Sequence, residues 1–114
     1  MYKNIYKLVR ISNEIKKEVS YIIQNSINNP RFNKLSTILD VVLSKDYSYA
    51  KIYVSFNQEK KIQNLSLDIL NSSSSYIRFL LSKRLNLRKV PKLTFFNDLS
   101  FLEGKKISNL LKNL

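Results

Sequence analysis

Leu8, Ile11, Ile15, Val19, Ile22 and Ile23 recur at three- and four-residue spacing, with Arg10, Asn13, Lys17 and Gln24 on the other faces. That period predicts an amphipathic helix from about Tyr6 to Ile27. Asn28-Asn29-Pro30 ends it, because a proline disfavours helical angles at the residue before it. The period then falls to two. Leu35, Thr37, Leu39, Val41 and Leu43 alternate with Ser36, Ile38, Asp40 and Val42, which predicts a strand. After a polar turn at Ser44-Lys45-Asp46, a second strand sets Ala50, Ile52, Val54 and Phe56 against Tyr49, Lys51, Tyr53 and Ser55. The two strands form a hairpin with one apolar face and one wetter face.

Ile62, Leu65, Ile69 and Leu70 predict a second helix, interrupted by Ser72-Ser73-Ser74-Ser75. Serine hydroxyls compete for backbone hydrogen bonds and cap helix starts, so the run marks a kink or a junction between helices. A third helix begins near Tyr76, with Ile77, Leu80, Leu81 and Leu85 inward and Arg78, Ser82 and Asn86 outward. Arg84 falls in the apolar sector, where its stem can follow the core while its head reaches water. Val90-Pro91 breaks this helix, and Lys92-Leu93-Thr94-Phe95-Phe96 forms a third strand. Leu102, Ile107, Leu110 and Leu111 predict a short terminal helix. The expectation is an α+β chain forming one domain over residues 1–114, with helices on one face of a small mixed sheet.

Composition narrows the chemistry. The 114 residues contain no Cys, no His and no Trp, and a single glycine, Gly104. Thiolate and imidazole metal sites, Cys nucleophiles, His relays and glycine-rich phosphate loops are thereby excluded. No cofactor is expected. With 44% hydrophobic residues the chain can bury a core. Lys3, Lys7, Arg10, Lys16 and Lys17 interrupt any apolar run near the start, so neither a targeting segment nor a membrane span is expected. The reading is a soluble cytoplasmic protein.

Twenty Lys and Arg against eight Asp and Glu give a net charge of +12. Biased codon usage accounts for part of the lysine. It accounts less well for arginine, and Arg78, Arg84 and Arg88 fall close together. Between Asp68 and Asp98 there is no acid, yet Arg78, Lys83, Arg84, Arg88, Lys89 and Lys92 all lie there. Such a stretch attracts polyanions by neutralising phosphates and releasing counterions.

Local sequences carry a family resemblance. Arg10-Ile11, Glu14-Ile15 and Lys17-Glu18-Val19 look like the first helix of ribosome-binding factor A, and Asn29-Pro30-Arg31-Phe32 resembles its Asp-Pro-Arg-Leu loop. VVLSKDYSYAKIYV, residues 41–54, resembles that family's hairpin. Ile77-Arg78, Leu87-Arg88, Val90-Pro91, Leu93-Thr94-Phe95 and Asp98 follow its third helix and last strand. The resemblance covers essentially the whole chain. It implies a type II KH-like fold, α-β-β-α-α-β, and a non-catalytic, monomeric assembly factor for the bacterial 30S small subunit and its precursor 16S rRNA, with no membrane partner. Where the family carries an Ala-x-Gly kink, this chain has Ser73, Ser74 and Ser75. Serine meets a steric cost in left-handed angles that glycine avoids.

Arg78 and Arg88 are the leading RNA-binding candidates, because both match the family and a guanidinium suits bidentate phosphate contact. Lys83, Arg84, Lys89 and Lys92 add field; Arg10 and Lys17 on the first helix are further candidates. Taken singly, each is better described as a solvated surface charge; taken together they favour RNA. Ser74 and Ser75 read either as an RNA-facing corner or as a capped helix junction. Tyr49 and Tyr53 either stack bases or cover the sheet. Two rival functions remain: a resident ribosomal protein, and a magnesium nuclease using Asp40, Asp46, Asp98 and Glu103, whose spacing matches no known motif.

Overall fold

The structure is a computed structural model that describes residues 2–26, 37–56 and 59–97. The Asn29–Phe32 loop, Asp98, Glu103 and the helix expected over residues 102–111 lie outside the described residues. Helices α1 (Tyr2–Ser26), α2 (Lys60–Ser72) and α3 (Ser74–Arg84) accompany strands β1 (Thr37–Leu43), β2 (Tyr49–Ser55) and β3 (Lys92–Asn97). The order α-β-β-α-α-β is the one expected. The sheet runs β1-β2-β3, with β1 antiparallel and β3 parallel to β2. Parallel pairing requires a long crossover, which α2 and α3 supply.

All three helices lie on one side of the sheet. Ile15, Val19, Ile22 and Ile23 of α1, Ile77 and Leu81 of α3 and Leu70 of α2 meet Ile52, Val54 and Phe95 in one core. The β2 alternation holds throughout: Ala50, Ile52, Val54 and Phe56 are all buried. Tyr49 and Lys51 stay exposed on the opposite face, and Tyr53 is half-buried there, stacked on Phe96 with ring centroids 5.5 Å apart. Phe95 therefore belongs to the core and Phe96 to the outer face.

Several expectations fail at the level of detail. Strict alternation in β1 groups Leu39 with Val41 and Leu43, but Ile38 is the buried residue. A bulge is the cause: Ile38 pairs with Val54 and Asp40 with Tyr53, so Leu39 has no opposite number. Its carbonyl instead accepts a hydrogen bond from Lys16 Nζ at 3.2 Å. In α2, Ile62 and Leu65 are exposed, while Ser66 and Leu70 face inward. The buried face is rotated roughly a quarter turn, at 100° per residue, from the one its largest apolar residues predict. Helix α3 starts at Ser74, before Tyr76, and stops at Arg84 rather than at Val90-Pro91. Leu85 is already extended, with φ −112° and ψ 132°.

The serine junction also differs from expectation. Ser73 has φ −93° and ψ 2°, an ordinary right-handed conformation needing no glycine, and its side chain makes no capping hydrogen bond. Ser72 Oγ bonds back to the Asp68 carbonyl at 2.6 Å, and the Ser73 amide donates to the Ile69 and Leu70 carbonyls. Backbone bonds, not hydroxyl caps, join the two helices. Next to the junction, Asn71 Nδ2 donates to the Phe95 carbonyl at 3.1 Å, and the Phe95 amide donates to Asn71 Oδ1 at 2.8 Å.

Candidate nucleic-acid interface

The basic residues sort into groups that chain order does not reveal. Lys7, Arg10, Ile11 and Glu14 form one stripe of α1, since positions three and four apart share a helix face. This stripe faces the β1–β2 turn and the segment after α3. Together they enclose a cleft of about 470 Å³ whose rim carries Lys7, Arg10, Arg88 and Lys89. Its floor is apolar, built from Ile11, Leu43 and Pro91, all buried. Glu14 and Asp46 are the acids of the lining. Arg10 is thus brought together with the adjacent pair Arg88-Lys89, far away in the sequence. Lys7 and Tyr47 join them; neither was singled out by sequence.

The turn forming one wall is tightly specified. Ser44 Oγ donates to Asp46 Oδ1 at 2.8 Å, the Ser48 amide donates to the same oxygen at 3.1 Å, and the Tyr49 amide donates to Ser44 Oγ. The Ser44 hydroxyl and the Ser48 amide hold the Asp46 carboxyl below the usual carboxylate range. Within this frame Tyr47 sits at φ 62°, a left-handed conformation that is rare for a bulky residue and costs about 1–2 kcal/mol. Its side chain packs against the core and lines the cleft. The Lys92 amide donates to the Ser48 carbonyl, and Lys89 Nζ to Ser48 Oγ, both at 2.8 Å. These bonds tie the turn to the chain entering β3.

Arg78, exposed on α3, also makes a contact within the fold. Its Nε and Nη2 both donate to the Val90 carbonyl, at 3.2 and 2.9 Å. The bidentate edge of the guanidinium therefore fastens residues 85–91 against α3. Arg78 also lines a shallower cleft of about 260 Å³ with Ser75, Phe79, Ser82 and Val90. Phe79 and Tyr76 are exposed on this helix, and Lys83 Nζ lies 5.2 Å from the Phe79 ring centroid. The Arg84 head does not simply reach water: it pairs with Glu18 and sits 4.0 Å from the Tyr21 ring centroid. Lys17 and Lys92 are exposed, one on α1 and one at the start of β3; Ser75 is exposed and Ser74 half-buried. Among the described residues, no group of three or more Asp and Glu is placed to hold a metal ion, and no helix is long and apolar enough to cross a membrane.

Comparison with known proteins agrees with this architecture. The chain is 49% identical over 109 residues to ribosome-binding factor A of Buchnera aphidicola subsp. Acyrthosiphon pisum (strain Tuc7), covering 92% of this chain and 90% of that one. It resembles the solution structure of a putative ribosome binding factor A from Thermotoga maritima, with TM-score 0.71, 32% identity and coverage of 80% and 86% of the two chains. It also resembles the Thermus thermophilus homologue as fitted into a cryo-EM map of a 30S complex, with TM-score 0.61, 29% identity and coverage of 75% and 88%. These neighbours have the KH-like fold. The family model described as ribosome-binding factor A matches residues 7–111. The chain belongs to the ribosome-binding factor A family.

Proposed function

We propose that this protein is a monomeric, single-domain, non-catalytic assembly factor over residues 1–114. It binds the free 30S small subunit, engages 16S rRNA, favours the conformation in which the rRNA end is matured, and leaves before translation. The observation that carries this reading is the convergence of Lys7, Arg10, Arg88 and Lys89 on one edge of a KH-like fold. The Thermus relative, fitted in a map of a 30S complex, supports the choice of partner.

The physics suits such a role. Phosphate contacts position a protein on RNA without reading sequence, and folded RNA is recognised largely by shape. The exposed cations supply the first, and Arg78 and Arg84 hold the elements that present them. Neutralising about five phosphates gives a slope of log K against log salt of about −3.5, at ~0.7 per phosphate.

Gradient sedimentation of cell extract tests the reading. The protein is expected with free small subunits and absent from translating ribosomes. Co-migration with translating ribosomes would mark it as a resident ribosomal protein. Arg88→Glu is expected to weaken association with small subunits while leaving the fold intact.

A further inference from the structure

We propose that the cleft between α1, the β1–β2 turn and residues 85–91 is a binding site for one phosphorylated nucleoside. Its planar ring packs against the half-buried side chains of Tyr47 and Leu87, above the buried Ile11, Leu43 and Pro91, and its phosphate meets the guanidinium groups of Arg10 and Arg88 at the rim.

Three observations carry this. The first is the division of the lining: apolar below, cationic above, in a volume of about 470 Å³. Small-ligand sites commonly occupy about 300–1,000 Å³ and combine such a floor with a few polar groups. An inorganic anion would make no use of the floor, and an apolar ligand none of the rim. The second is that the rim arginines are uncommitted. Arg78 and Arg84 are taken up by Val90 and Glu18, whereas Arg10 and Arg88 form neither hydrogen bonds nor ion pairs among the described residues. Of the two acids, Asp46 directs Oδ1 into its own turn, leaving Glu14 to accept from a ribose hydroxyl or an exocyclic amine. The third is preorganisation. The wall bearing Tyr47 is fixed by the Ser44–Asp46–Ser48 bonds and by Lys89, so little ordering accompanies binding. Strained backbone held this firmly is characteristic of ligand sites.

The fit of the cleft is independent of particle binding. That the nucleoside arrives as an unstacked nucleotide of rRNA rests on the function proposed above; a free nucleotide has the same chemistry.

The test is a titration of the full-length, isotope-labelled protein by NMR with 5′-AMP, adenosine, inorganic phosphate and a short single-stranded RNA. 5′-AMP is expected to shift amides of residues 7–14, 46–47 and 86–89 saturably, with at least threefold higher affinity than either adenosine or phosphate. Equal affinity for phosphate, or shifts spread evenly to Lys51, Lys60 and Lys61, would overturn the proposal. Arg10→Gln and Arg88→Gln are each expected to weaken 5′-AMP at least fivefold with the remaining spectrum unchanged; undiminished affinity in both would also overturn it. Tyr47→Gly, which suits the left-handed backbone while removing the ring, is expected to retain the fold and lose at least threefold in affinity. If RNA displaces 5′-AMP from these residues, the site takes a strand nucleotide; if only 5′-AMP binds there, the site stands and its ligand is free. Nucleotide binding without sedimentation on small subunits would sink the assembly-factor reading alone, and the reverse result would sink this site alone.

Discussion

At the scale of single residues, some of the exposed cations also make bonds within the fold and others make none among the described residues. Arg84 belongs to the first group. Its pairing with Glu18 and its place over the Tyr21 ring join α3 to α1. Because the side chain is 40% exposed, solvent screening limits the ion pair, and the pair together with the ring contact contributes about 1 kcal/mol. Arg84→Ala is expected to lower stability by about that amount in urea denaturation, while the salt slope for RNA stays as in the parent. A flattened slope would return Arg84 to the binding surface. Asp46 offers a pH test. Its folded carboxyl titrates below the ordinary aspartate value chiefly because of the Ser44 hydroxyl and the Ser48 amide. A lowered folded value stabilises the protein above the unfolded value, and that stabilisation is lost as the pH falls through the folded one. Ser44→Ala should raise the Asp46 titration midpoint, read from the side-chain carboxyl in an NMR pH series. It should also destabilise the protein at neutral pH and not in strong acid. An unmoved midpoint contradicts the role given to Ser44.

At the scale of elements, the helix junction gives the sharpest prediction. Ser75 stands where the resemblance implies a glycine, yet it lies inside α3, and among the described residues only Tyr47 has a positive φ outside glycine. Ser75→Gly should therefore destabilise by about 0.5 kcal/mol, since glycine loses more freedom on entering a helix. Stabilisation instead would show that the bend prefers left-handed angles. Much of this architecture was legible beforehand. The β2 alternation and the inward Ile77 and Leu81 follow from periodicity, whereas periodicity alone does not decide which side of β3 faces the core. The α2 face was not legible. Ser66 is fully buried while Ile62 and Leu65 are exposed, so the orientation of this helix follows its packing on β3 rather than its own pattern. The Leu39 bulge was hidden for a similar reason: both Ile38 and Leu39 are apolar, and only the partner strand decides between them. The cleft was harder still. Lys7 is one lysine among many, and nothing in a Ser-Lys-Asp-Tyr sequence announces a left-handed tyrosine.

At the scale of the whole molecule, charge is directional. The surplus of twelve positive charges includes the four that ring one cleft, so ionic strength should modulate binding steeply. Combining Arg10→Gln with Arg88→Gln is expected to flatten the slope of log K against log salt by about 1.4, from ~0.7 for each lost phosphate contact. Lys60→Gln with Lys61→Gln, an equal change of charge on exposed α2, should flatten it by less. An equal effect would mean that RNA senses total charge and not this edge. The amide of Asn71 has a consequence on the same scale. A three-stranded sheet has two outer strands, and each is a template on which a neighbouring chain can add its own. Here β1 is interrupted at Leu39, and the middle of β3 already exchanges both backbone bonds of Phe95 with Asn71, much as another strand would. That stretch of the β3 border is already paired, which removes it as a place for a neighbouring strand to add; unpicking the stitch with Asn71→Ala should show up as concentration-dependent growth of particle mass in light scattering.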